Sequence, residues 1–270
     1  MSDDFEPLSE ARRRFRPFAE FLAALRFLTA LPIPFVRTLD PPALSEAMRM
    51  FPLAGALIGA ATGAVLGLCK LGGLPPLFSA AFAIGVGLLI TGALHEDGLS
   101  DVADGFGGGR TREERLDIMR DSRIGAFGTL GLGVMLLAKA ALFMALLELP
   151  AGDAIVLLAC AAAFSRALIV DLMWATRPAR SDGLSVLAGR PSRNTTLFAL
   201  ALGGIGAAAA AGAVLAPATG VAALIAGGVA LALLRALAMR KIGGQTGDVC
   251  GAAQVLTELA MLATYAAAIS

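Results

Sequence analysis

Seven stretches of this sequence are each long and apolar enough to cross a lipid bilayer as a helix, and this limits the fold more than any motif does. A membrane helix needs about 20 mostly apolar residues. The stretches run roughly over residues 53–69, 77–94, 124–147, 154–174, 197–215, 221–238 and 252–269. The expectation is an all-α polytopic membrane bundle of about seven transmembrane helices, with residues 51–270 as the catalytic membrane domain and residues 1–50 as a cytoplasmic N-terminal region. Composition agrees. The chain is 57% hydrophobic with only 16% charged residues and 32 glycines, and its mean hydropathy is +0.76; a soluble domain is about half apolar and a quarter charged.

The N-terminal stretch "RRRFRPFAEFLAALRFLTALPIPF" reads differently. Its arginines come first, Glu20 and Arg26 interrupt the apolar face, and Pro32 and Pro34 end it. That pattern predicts an amphipathic helix lying in the membrane interface, and it lacks the uncharged core and small-residue cleavage site of a signal peptide. A net charge of +1 excludes a generally basic nucleic-acid binder. The three cysteines, Cys69, Cys160 and Cys250, are widely spaced, which gives neither a disulfide framework nor a zinc site.

Connections between the spans alternate in character. "KLGGLPP", "ELPAGD" and "APATG" are short and nearly bare, whereas the N-terminal region and residues 94–123, 176–193 and 240–251 hold almost all remaining charge. The positive-inside rule puts those four on the cytoplasmic side of the membrane, with the N terminus in and the C terminus out.

The densest charge lies in residues 94–128, "LHEDGLSDVADGFGGGRTREERLDIMRDSRIGAFG". Asp97, Asp101 and Asp104 are spaced i, i+4, i+7, one face of a helix if the second span continues past the membrane boundary. Asp117 and Asp121 repeat the i, i+4 spacing, after a glycine break and a capping box of Thr111 with Glu114. Two acidic helix faces set side by side repel unless a cation compensates them. Hard carboxylate oxygens suit Mg²⁺, which is usually held together with substrate phosphates. Arg110, Arg120 and Arg123 can take phosphate oxygens in bidentate fashion. A solvated loop whose acids and arginines merely pair across helical turns is the bland alternative.

DxxDG, then an arginine, then DxxxD (Asp101, Asp104, Gly105, Arg110, Asp117, Asp121) resembles the CDP-alcohol phosphotransferases, although the interval between the acidic pairs is shorter here. A longer resemblance spans nearly the whole chain. "FLTALPIP", "FPLAGALIG", "TGALHEDGLSDVADG", "IMRDSRIGAFG" and "GGQTGDVCGA", in that order, are similar to the successive signatures of the cobalamin synthase (adenosylcobinamide-GDP ribazoletransferase) family. Glu96 and Cys250 stand where that family leads one to expect apolar residues. The resemblance implies an integral membrane enzyme using Mg²⁺, which joins adenosylcobinamide-GDP to α-ribazole or its 5′-phosphate and releases GMP.

With that reading, Asp97, Asp101, Asp104 and Asp117 are expected to hold Mg²⁺. Asp121 or His95, the only histidine, takes the hydroxyl proton. Asp248 in "GGQTGD" joins the metal or orients a hydroxyl, while Gly243 and Gly244 present backbone N–H groups to a phosphate. Arg180, in the loop that also carries Arg177, Asp182, Arg190 and Arg193, meets either GDP phosphates or lipid head groups. Lys139, Arg166, Arg235 and Glu258 fall inside spans and should face the bundle interior, with Arg166 the best substrate-binding candidate among them. The small-residue tracts near 203–212 and 220–228 should pack helix against helix. A transporter would instead place its acids at mid-span in an inverted repeat, and no repeat is evident.

Overall fold

The computed structural model of the chain describes residues 16–33 and 42–269. Among these the regular structure is helical, with no β-strand. In chain order the helices are α1 (Pro17–Leu28), α2 (Leu44–Ala47), α3 (Phe51–Leu71), α4 (Pro76–Thr91), α5 (Leu94–Gly108) and α6 (Arg112–Ile118). The second half continues with α7 (Ala126–Leu146), α8 (Ala151–Ala175), α9 (Leu184–Ala188), α10 (Arg193–Val214), α11 (Pro217–Ile242) and α12 (Gly247–Ile269). Six segments, built on α3, α7, α8, α10, α11 and α12, are long and apolar enough to cross a membrane, and the bent pair α4 and α5 makes a seventh if counted as one span. The chain is therefore a multi-pass membrane protein of the expected class.

Helix α8 is the pillar of the bundle: 78% of its most apolar window is buried, against 17% for α7 and 28% for α10 and α11. Its long neighbour α3 lies along it through Gly55, Gly59, Gly63 and Gly67, four residues apart on one face. A Cβ on Gly63 would sit 2.8 Å from the Cα of Ile155, so these backbones pack with no side chain between them. The tracts singled out in α10 and α11 behave the same way, with Gly203 and Gly204 against Ala167 and Phe164, and Gly227 against Met261. The outer helices expose large apolar side chains such as Val134, Leu137, Ile205, Ile225 and Leu233, the surface expected against lipid tails.

One expectation needs correction. The second span does not run on as a straight helix into the acidic motif. Gly92 (φ 64°) and Ala93 (φ 55°) are both left-handed, and α5 leaves α4 at 93°. Left-handed geometry suits glycine but is uncommon for alanine, and two such residues in succession end a right-handed helix. The three aspartates thus ride on a separate polar helix, packed against α12 and α7.

Helix α1 has 12 residues, about 18 Å at 1.5 Å per residue, too short to span. It buries Ala24, Leu25 and Leu28 against the bundle, and it also buries Glu20, whose carboxylate is 3.1 Å from Arg49 Nε. Arg12 to Arg14 and Pro34, which framed the interfacial-helix expectation, lie outside the described residues.

The charged residues inside the spans do face inward. Lys139 Nζ lies 3.0 Å from Glu258 and 3.9 Å from Glu96, and Arg166 Nη1 lies 3.3 Å from Glu258. Gln254 donates to Glu258 at 2.6 Å. Arg235 instead caps the end of α8, donating to the Ala175 carbonyl at 3.0 Å. Two cations and two carboxylates balance, which is the condition under which buried charges are tolerated. Glu96, out of place by family pattern, is explained here as a partner of Lys139. Cys69, Cys160 and Cys250 are buried and free, as small apolar residues would be.

Candidate active site

The site forms where α5 crosses the start of α12. Gly98 makes the crossing close: a Cβ there would lie 2.7 Å from the Asp248 carbonyl oxygen and 3.0 Å from its Cα. Thr246 starts α12, its hydroxyl accepting from Val249 N at 3.3 Å as an N-cap does. The same hydroxyl donates to Asp248 Oδ2 at 3.1 Å and so steers that carboxylate. Asp248 consequently faces α5. The charges acting most strongly on Asp101 are the carboxylates of Asp97, Asp248 and Asp104, opposed by Arg180.

The three aspartates of α5 do not share one environment. Asp97 is exposed and Asp101 half-buried. Asp104 is buried, and both its oxygens are engaged: Oδ2 accepts from Gly125 N at 2.7 Å and Oδ1 from Gly128 N at 2.9 Å. It thereby caps the N-terminus of α7 from another helix, where a carboxylate is favoured by orphan N–H groups and the helix dipole.

Arg180 is the cation of the site. Its Nη2 is 3.5 Å from Asp248 and its Nε 3.8 Å from Asp182. The loop that carries it is docked by the "GGQTGD" turn: Gln245 N donates to Arg177 O at 2.9 Å and Ala179 N to Gln245 O at 2.8 Å. Gly244 packs onto that backbone so closely that a Cβ would collide with the Arg177 carbonyl. Gly243 N closes α11 by donating to Ala238 O and Met239 O. The turn is thus a clamp, with the N–H groups of Gly243 and Gln245 already in use, so Gly243 does not present the free N–H group expected of it.

The second acidic pair does not form the helical face expected of it. Helix α6 ends at Ile118, so Asp117 and Asp121 do not share a helical face. Asp117 is exposed on α6, and Asp121 pairs with Arg123 at 2.6 Å. The Arg123 hydrogen bonds hold the Asp121 carboxyl down to about 2, which makes it a weak proton acceptor at neutral pH. Arg120 is likewise taken, by Asp182 at 2.7 Å, Arg110 is exposed, and Arg166 belongs to the buried ionic cluster beneath the site.

Sequence reasoning missed the roles of Arg112 and Arg115. Arg115 Nη1 donates to Lys241 O at 3.0 Å and Arg112 Nε to Ile242 O at 2.9 Å, with Arg112 Nη2 on Ala179 O. Together with Arg177 Nε on Gly243 O at 3.0 Å, they place positive charge on the carbonyl end of α11, where the dipole favours it. These contacts fasten α6 and the Arg180 loop around the site. The capping box of Thr111 and Glu114, by contrast, forms as read.

His95 is 3% exposed and its Nε2 has no protein partner. It lies between the buried ionic cluster and a cavity of about 170 Å³, whose rim includes Asp97, Arg180 and Asp248. Among the described residues no three His, Cys, Asp or Glu side chains stand close enough to hold a metal by themselves. That geometry still fits Mg²⁺, which is typically bound through one or two carboxylates, several waters and substrate phosphates. Asp97 and Asp101 are the carboxylates that could offer it hard oxygens, while Asp117 stands exposed on α6.

Residues 20–266 match the family model described as cobalamin-5-phosphate synthase. Relatives named adenosylcobinamide-GDP ribazoletransferase include one from Azorhizobium caulinodans, 45% identical over 257 residues that cover 93% of this chain and 96% of the relative. Another, from a Sinorhizobium species, is 43% identical with 90% and 94% covered, and one from Mesorhizobium japonicum is 41% identical with 91% and 92% covered. No solved structure matches. An acidic helix crossing the head of a second helix, within a polytopic bundle matched over nearly its whole length, makes the conclusion plain: the chain belongs to the cobalamin-5-phosphate synthase family.

Proposed function

We propose that this chain is an adenosylcobinamide-GDP ribazoletransferase of the bacterial inner membrane, working at the cytoplasmic face. It transfers the adenosylcobinamide-phosphate group to α-ribazole or α-ribazole 5′-phosphate and releases GMP. The observation that carries this reading is the approach of Asp97 and Asp101 on α5 to Asp248 on α12, with Arg180 beside them at the rim of a cavity.

In the reaction, a ribazole hydroxyl oxygen forms a bond to the phosphorus attached to the cobinamide arm. The bond from that phosphorus to the bridging oxygen of GMP breaks, and GMP departs with the electron pair. Asp248, steered by Thr246, takes the hydroxyl proton. Arg180 meets the non-bridging phosphate oxygens; a guanidinium suits that charge because its donors are fixed in a fork. His95 holds the acceptor at the base of the cavity. Asp97 and Asp101 would hold Mg²⁺, which when bound would supply neutralisation of the charge on the pyrophosphate and on the leaving oxygen. Asp104 positions α7 against α5 and does not touch substrate. Little covalent chemistry is asked of the protein, so catalysis is chiefly positioning and electrostatics.

The cytoplasmic orientation is supported by charge. The segments holding Arg112, Arg120, Arg180 and Lys241 gather at one end of the bundle and are fastened to one another, in keeping with the positive-inside rule. The test is GMP release by the purified protein in lipid nanodiscs. Release should require the GDP-activated corrinoid, the ribazole and Mg²⁺ together, and a protein active on CDP-diacylglycerol instead would overturn the reading.

A further inference from the structure

The cavity beside the acidic cluster has a wall unlike its rim. Deep in it stand Leu28, Phe51, Ile169, Met173 and Ala188, all buried, with Phe27 stacked on Phe51 at 5.7 Å between ring centroids. At the mouth stand Asp97, Asp248 and Arg180. Two buried donor or acceptor atoms of lining residues, His95 Nε2 and Arg180 Nη1, have no protein partner.

We infer that this cavity is the subsite for the aromatic base of the acceptor nucleoside, seating an apolar fused ring against Phe51, Ile169 and Met173 with its ribose directed at Asp97 and Asp248. The inference rests on the transferase reading and adds to it the location and polarity of the acceptor's binding site.

Size comes first. The volume is about 170 Å³, and an apolar cavity of about 150 Å³ accepts a benzene ring. A ring system fits; a whole nucleotide or a corrinoid does not. Polarity then separates the two bases in the reaction. Guanine carries donors and acceptors along two edges, and burying any of them without a partner is costly. Among the described residues, the only polar side chains on the buried part of the wall are Ser185 and His95, too few to pair both edges of guanine. The benzimidazole of a ribazole presents a hydrocarbon edge and a single free ring nitrogen, a match for one unpartnered imidazole nitrogen on His95. Position is the third argument. A base held here leaves its sugar at the rim, where Asp248 is within reach of a hydroxyl.

The experiment is steady-state GMP release by the full chain in nanodiscs, with benzimidazole as added inhibitor. Benzimidazole should compete with α-ribazole and not with the GDP-activated corrinoid, and inosine, whose base has polar edges, should inhibit at least about tenfold more weakly. Ala188→Leu, which fills part of the cavity, should raise KM for α-ribazole about tenfold, the scale set by a methylene or two in an apolar pocket. It should weaken benzimidazole inhibition in parallel and leave KM for the corrinoid within about twofold. Competition against the corrinoid, equal potency of inosine, or an equal rise in both KM values would overturn the assignment. Should wild-type protein release no GMP at all, the transferase reading fails, and calorimetric titration of benzimidazole into wild type and Ala188→Leu still decides the cavity: tight binding lost in the variant upholds an apolar-ring site, and no binding refutes it.

Discussion

Gly98 of α5 and Asp248 of α12 are in backbone contact, with no room between them for a methyl group. Everything at the site depends on that approach, because it sets the distance between the α5 carboxylates and the Asp248 side chain. Gly98→Ala should force the helices apart and lower kcat by about 10- to 100-fold, the cost of an ångström-scale misplacement, while the protein still folds and inserts. Rates measured beside a thermal-unfolding profile check this.

Asp104 is assigned to holding α7. Asp104→Ala strips one buried and one part-buried N–H group of their acceptor and should cost about 2–4 kcal/mol, read as a lowered midpoint of thermal unfolding. Asp104→Asn keeps one acceptor oxygen and should recover part of that loss. An unfolding midpoint equal to wild type in Asp104→Ala would show that the carboxylate serves chemistry and not the fold.

Glu258 lies between Lys139 and Arg166 inside the membrane. Glu258→Gln leaves Lys139 with only the more distant Glu96 and removes the carboxylate that Arg166 meets, so a destabilisation of about 3–5 kcal/mol is expected. Pairing it with Lys139→Met should restore a good part of the loss in a double-mutant cycle. Additive losses would mean that the charges do not interact as the geometry indicates.

Asp121 gives a prediction about pH. Its folded-state carboxyl sits at about 2, below its ordinary value, because Arg123 hydrogen-bonds it. Any stabilisation from the pair is present above the ordinary carboxylate range and is lost as pH falls toward about 2. It therefore contributes nothing to pH dependence between 5 and 9. Asp121→Asn should leave the shape of the pH–rate profile in that window unchanged and cost less than about tenfold in rate. Disappearance of the acidic limb in that variant would restore Asp121 as the proton acceptor.

The spans were legible because each is set by a local run of apolar residues, and the α5 aspartates because helical spacing is local too. The 93° break was not, since Gly92 and Ala93 sit in an apolar run that reads as continuous helix. Asp117 and Asp121 were misread for a related reason: i, i+4 spacing implies a shared face only while the helix lasts, and α6 stops at Ile118. Arg112 and Arg115 were opaque because their carbonyl partners are about 130 residues away in sequence. The role of Asp248 came from family resemblance, for nothing local says that α12 begins beside α5. The apolar wall of the cavity is drawn from α1, α3, α8 and α9 at once, a convergence with no signature in any one segment.

The most direct test of the whole account compares GMP release by wild type, Asp97→Ala and Asp248→Asn in nanodiscs, with adenosylcobinamide-GDP, α-ribazole 5′-phosphate and a Mg²⁺ titration. The account predicts loss of at least about 100-fold in both variants, with Asp97→Ala partly recovered at high Mg²⁺ and Asp248→Asn not recovered at any. Wild-type rates in either folded variant, or release by wild type that ignores Mg²⁺, would contradict it.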